Sequence, residues 1–331
     1  MSRNKLLSIV MIVCAIVLVA AVAVSLEGGV GYRYDNAEKY AAGAGTVEGT
    51  VRNLDVDWID GQVTIAYHSE PTVLISETSK KNIPADMELR WWLDGDTLRV
   101  RYAKSGTVWL NWNLEKELTL TLPEGIGLED VGLNATSGGL YIPAMKAENL
   151  KLHVTSGDIR AAASAATVES KMTSGNMTLS ISGVAKDIVA SATSGDIRID
   201  AEDADKLNAS VTSGLVQVKA GRIGEFKAGA TSGNLDIDIA EGENVKLEGT
   251  SAGVNVKLGK LSSLEIGVTS GNIMAFLPET PGFRARVSTT SGRFDYGINL
   301  TKQGSEYICG DGSATVNIHS TSGDVRIDAV K

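Results

Sequence analysis

Asp or Asn follows a Thr-Ser-Gly triplet six times, at Asp158, Asn176, Asp196, Asn234, Asn272 and Asp324. Oxygen ligands at a regular interval are what a calcium site needs. The rest of that chemistry is missing: no G-G-x-G-x-D pattern occurs, and Leu215 and Arg293 interrupt the row. Clustered carboxylates with basic partners could instead cleave an acidic polysaccharide. The positions alongside are too mixed for that, running Arg160, Thr178, Arg198, Gln217 and Asp236. His68, His153 and His319 stand far apart, and the last two sit two residues before a Thr, where they are expected to face solvent. No nucleophile elbow, phosphate-binding loop or zinc spacing is present. Cys14 lies in an apolar run and Cys309 in a Gly-rich stretch, so neither a disulfide nor a metal site is expected. These residues predict no enzyme, no cofactor and no metal. The Asp and Asn residues read as turn formers, which hydrogen-bond nearby backbone.

The triplets explain themselves through their spacing. Thr-Ser-Gly begins at Thr136, Thr155, Thr173, Thr193, Thr212, Thr231, Thr269, Thr290 and Thr321, and Thr250 opens a Thr-Ser-Ala variant. Successive intervals are 19, 18, 20, 19, 19, 19, 19, 21 and 31 residues. Self-similarity at a fixed period is the signature of a solenoid. Two and four residues after each Gly stand apolar or aromatic residues, such as Ile159 and Ala161, Ile197 and Ile199, or Val325 and Ile327. Apolar residues also precede the Thr by three and five positions, as at Leu152 and Leu150 or Leu247 and Val245. Alternation at period two marks half-buried strands. Each repeat is therefore strand, turn, strand, connection, and a period near 19 leaves no room for a helix. The predicted fold is all-β: a parallel β-solenoid, or β-helix, of about ten coils, with a stacked length on the order of 50 Å.

The predicted corner residues are Ser137 and Gly138, Ser156 and Gly157, Ser174 and Gly175, Ser194 and Gly195, and Ser213 and Gly214. They continue as Ser232 and Gly233, Ser251 and Ala252, Ser270 and Gly271, Ser291 and Gly292, and Ser322 and Gly323. Counting the alternation forward puts Thr in water and Ser inside, with its hydroxyl bonding backbone freed by the bend. Gly suits a positive φ, so Ala252→Gly is expected to stabilise if the corner is left-handed.

The ends of the chain differ from its middle. Leu6 to Leu26 is 21 residues without a charge, long enough to cross a hydrocarbon core of about 30 Å. Arg3 and Lys5 would keep the N-terminus in the cytoplasm and the remainder outside. A cleaved signal is the alternative, since Ala23 and Ser25 are small. Val13 before Cys14 argues against a lipoprotein. The expected organisation is a transmembrane signal-anchor over 1–26, a tether over 27–45, irregular β coils over 46–130, and regular coils over 131–331 with an insertion at 293–320. The run from Leu54 to Ile65 reads as a degenerate first coil, with Ile59-Asp60-Gly61 in place of the triplet. Trp58, Trp91, Trp92, Trp109 and Trp112 all fall within 46–130, where they read as a cap closing the stack, with a carbohydrate-stacking patch as the alternative.

The net charge of −9 and pI near 5.0 oppose binding to nucleic acid, whose phosphates need clustered Lys and Arg. The Trp58-Ile-Asp-Gly61 opening, the run Leu118-Thr-Leu-Thr-Leu-Pro123 and the Thr-Ser-Gly-Asp-Ile-Arg coils resemble a bacterial family of candidate adhesins with β-strand repeats, the toast-rack domains of unknown function. The resemblance covers about residues 46 to 331. It implies a single-pass envelope protein and carries over no catalytic residue. Expected partners are the membrane, through residues 6–26, and a cell wall, surface glycan or envelope protein. The leading expectation is a surface-binding or adhesive module. The other is an envelope scaffold or stress-sensing component that works through a membrane protein.

Overall fold

The computed structural model describes residues 31–107 and 114–330. The predicted anchor over 1–26, Trp109 and Trp112 lie outside the described residues. Among those described, no helix is long and apolar enough to cross a membrane.

The alternating pattern folds as the chemistry demands. Each unit lays one strand before the corner and one after it, and the units stack in parallel. Leu150, Leu152 and Val154 pair in register with Val168, Ser170 and Met172 on one face. Beyond the corner, Ile159, Ala161 and Ala163 pair with Met177, Leu179 and Ile181 on the other. All these side chains are buried, while the residues between them point to solvent or are half-buried. The core is thus a narrow slab between two sheets. Within one rung, large and small residues trade places: Ala228 and Ala230 share a rung with Leu235, Ile237 and Ile239, whereas Leu150 and Leu152 share one with Ala161 and Ala163. That keeps the slab evenly filled, and each buried Leu or Ile contributes roughly 1.5–3 kcal/mol.

Both ends stack out of chain order. The rung over 53–68 lies between the next rung in sequence, whose strands are Thr97–Arg101 and Glu117–Pro123, and the strand Leu128–Ser137. At the far end, the C-terminal strand Ala314–Ser322 slips between Ser263–Ser270 and Phe283–Ser291. The 293–320 segment is therefore not a single insertion: residues to Gly297 complete the outermost rung, and a hairpin of Thr301–Gln303 and Glu306–Gly310 follows. Each outer rung then pairs with antiparallel strands, Arg90–Asp94 and Val73–Thr78 at one end and Glu306–Gly310 at the other. Reversing direction ends the parallel repeat and covers much of its open edge.

Residues 31–45, expected as a tether, are instead bound to the stack. Tyr32 is buried, its N–H donates to Thr107 O at 3.0 Å, and its hydroxyl donates to Asp57 O at 3.1 Å. Ala41–Ala42 and Gly45–Val47 add antiparallel strands to the end.

Lys116 closes the core beneath this end and is fully buried. Its ammonium meets Glu77 at 2.7 Å, donates to Tyr102 O at 2.6 Å and to Met87 O, and lies 4.2 Å from the Tyr102 ring centre. Burial pushes its pKa down and Glu77 pulls it back. Trp58 is also buried and its indole donates to Lys116 O at 3.0 Å. Lys116→Ala leaves a carboxylate buried without its partner, so it should cost about 3–5 kcal/mol in urea unfolding. Lys116→Met with Glu77→Leu should cost much less; equal losses would show that packing, not the charge pair, matters.

Candidate functional site

The corner column is where the repeated residues meet. Each Gly N–H donates to the Ser carbonyl of the next rung: Gly138 to Ser156 at 2.9 Å, Gly157 to Ser174 at 3.0 Å, Gly195 to Ser213 at 3.0 Å. Gly138, Gly157, Gly175, Gly195, Gly214, Gly233, Gly271 and Gly323 have φ between 117° and 145°. A Cβ there would overlap the backbone of the adjacent rung; at Gly214 it would strike Gly195 O. Gly61 belongs to the same column, at φ 93°, and its N–H donates to Ser137 O. Gly292 and Ala252 have no positive φ, and Ala252 is buried.

The serines correct the expectation of an inward hydroxyl. Ser137, Ser156, Ser174, Ser194, Ser213, Ser232, Ser251, Ser270, Ser291 and Ser322 are all exposed, as are the threonines before them. The bend begins one residue early, so two consecutive side chains point outward. The Asp and Asn row supplies the missing backbone partner. Asp158 Oδ1 accepts the N–H of Asn176 at 3.0 Å, Asp196 Oδ1 that of Leu215 at 3.1 Å, and Asn272 Oδ1 that of Asp324 at 3.0 Å. Among the described residues no group of three His, Cys, Asp or Glu side chains is placed to hold a metal.

A cleft opens where the period falters. The repeat from Thr155 is 18 residues long and the next is 20. Ala163 pairs with Ile181 and Thr167 with Asp187, so the three residues between them on one rung face five on the next. The surplus bulges at the second corner and leaves Val184 68% exposed. Beside it lies a cleft of about 580 Å³, a size that suits a small ligand or a few side chains. Ile126, Met145, Ala163 and Ile181 give it apolar walls, and Glu124, Asp200 and Glu202 outnumber Lys146 among its charges. Glu202 is held in place by accepting the Gly183 N–H at 2.7 Å, and Tyr67 donates its hydroxyl to Ala144 O. A second cleft of about 640 Å³ runs beside Thr193, Thr212, Thr231 and Thr250, lined by hydroxyls and glycines.

The remaining predicted residues do not converge. His153 and His319 are exposed, His319 bonds Ser288 at 2.9 Å, and His68 is tied to Thr72 O. Trp58 is in the core; Trp91 and Trp92 are half-buried.

The family described as Toastrack DUF4097 matches residues 94–225 and 162–328. A crystal structure of a candidate adhesin from Parabacteroides distasonis is similar over 71% of this chain and 97% of its own, at 12% identity and TM-score 0.47. Another from Parabacteroides merdae is similar over 88% of this chain and 97% of its own, at 12% identity and TM-score 0.39. No curated protein matches the chain.

The column makes a sharp pair of mutants. Gly214→Ala forces a side chain into positive φ and against a carbonyl, and should lower stability by about 1–3 kcal/mol or more. Ala252→Gly, contrary to the expectation from sequence, removes a buried methyl where no positive φ exists and should destabilise by about 1 kcal/mol. Thermal unfolding of both reads the two signs.

Proposed function

The chain belongs to the Toastrack DUF4097 family, and from that premise we propose a non-enzymatic binding module held at the membrane by residues 6–26, with the solenoid outside the cytoplasm. The cleft beside Val184 carries this reading. Apolar surface, a fixed carboxylate and a recess occur together there, on the flank of a regular stack. Apolar walls with an acidic rim suit a cationic, partly apolar group of a cell-wall or cell-surface component. Val184 and the apolar walls also favour a second reading, an envelope scaffold or sensor whose partner is a membrane protein with a basic segment.

Co-sedimentation of the full-length chain in lipid nanodiscs with isolated cell walls and intact cells tests the first reading. Saturable binding is expected. Glu124→Lys with Asp200→Lys should weaken it about tenfold, equivalent to ~1.4 kcal/mol. Absence of saturable binding removes the adhesive reading and directs the search to membrane proteins that co-purify with the chain.

A further inference from the structure

The attachment of residues 31–45 sets where the solenoid can sit. Tyr32 is fixed to this end of the stack by its backbone bonds with Thr107 and Gly106 and by its hydroxyl on Asp57 of the second rung. Tyr34 is fixed by its hydroxyl on Ala103 O at 3.1 Å. Only residues 27–31 separate this attachment from the apolar run ending at Leu26. Six Cα steps reach at most about 20 Å. A chain anchored through residues 6–26 therefore holds this end of the stack close to the bilayer, whatever path the linking residues take.

The surface presented there has the chemistry of a lipid headgroup layer. Tyr34 packs tilted against Tyr40 at 4.7 Å between ring centres, Tyr40 meets Trp92 edge-on at 5.7 Å, and the Lys39 ammonium sits 4.7 Å from the Trp92 ring centre. Tyr34, Tyr40 and Trp92 are half-exposed and Lys39 is exposed. Rings with one apolar body and one polar edge, beside a long cationic side chain, are favoured at membrane–water interfaces. Successive rungs then carry the hairpin at Glu306–Gly310 away from this end, over roughly 50 Å at ~4.8 Å per step.

We propose that the solenoid stands on its N-terminal end, with Tyr34, Tyr40, Trp92 and Lys39 in the lipid headgroup layer and the C-terminal hairpin farthest from the membrane. The proposal rests on anchoring through residues 6–26. It puts the Val184 cleft on the upright flank of the stack, facing along the membrane instead of into it.

Energy transfer to labelled headgroups tests this on the full chain in phosphatidylcholine vesicles containing a few per cent of a rhodamine-headgroup lipid. A dye is placed at Glu38→Cys or at Gly304→Cys, with Cys14→Ala and Cys309→Ala removing other thiols. Transfer from position 38 should exceed that from position 304 by roughly threefold or more, as the ~50 Å separation of the ends requires. Tyr40→Ser with Trp92→Ser should raise transfer from position 304, as the stack tilts once its foot is lost, while the unfolding temperature confirms that the variant is folded. Equal transfer from both positions in chains that float with the vesicles overturns the upright placement and leaves the anchor intact. An unchanged signal in the folded double variant overturns the aromatic foot. Chains that do not float at all overturn the anchoring reading, and the proposal falls with it.

Discussion

No side chain fits where one corner crosses the next. At Gly214 a Cβ would meet the carbonyl oxygen of Gly195, and the same holds along the column from Gly138 to Gly323. The close approach is what lets the corner N–H reach the neighbouring Ser carbonyl, so the hydrogen-bond ladder continues through the bend. A buried or half-buried backbone group without a partner costs about 1–3 kcal/mol. The column therefore forces glycine, the positive φ follows, and the two sheets are brought to the separation that aliphatic side chains can fill. Ala252 shows the limit of the rule: its corner keeps a methyl by giving up positive φ, and the methyl is buried in the stack.

A stack built by translation has no natural end. Here both ends use the same device, a rung placed out of chain order followed by antiparallel strands. The displaced rung pairs on both sides with segments far away in sequence, which ties the terminal units into the body. At the N-terminal end the core must also be closed, and Lys116 does so with its apolar stem inside and its ammonium shared between Glu77 and two carbonyls. A lysine satisfied on every side serves as a plug, since its charge is spent on closing the end and not on a reactant.

Much of this was legible in residues. Period-two alternation on either side of each triplet, at a spacing near 19, already required stacked strands, and Ile59-Asp60-Gly61 could be read as a corner without its Thr and Ser. The direction of the serines was not legible, because alternation counted through a strand says nothing about where the bend starts. The swapped order of the end rungs was hidden for a different reason. Inner residues such as Val287 and Ile318 satisfy the same pattern whichever neighbour they meet, so the sequence pattern specifies a rung but not its place in the stack. The tether failed because Tyr32 and Tyr34 act through contacts with residues some 70 positions away.

The cleft shows how such a fold can acquire a site. In a perfect repeat every outward row is a copy of the row beside it, so a ligand that fits one position fits the next, and binding smears along the stack. A unique site needs a break in the repeat. The intervals of 18 and 20 residues are such a break within the run of near-19 spacings, and together they make two ordinary periods of 19. The stack is therefore back in register by Asp203, with the Gly and inner columns intact on both sides. The distortion is confined to the second corner, beside the cleft that Asp200 and Glu202 line. Stability is carried by the regular rows and the distinguishing chemistry by the irregular one, so the cleft can change residue by residue without disturbing the column on which the fold depends.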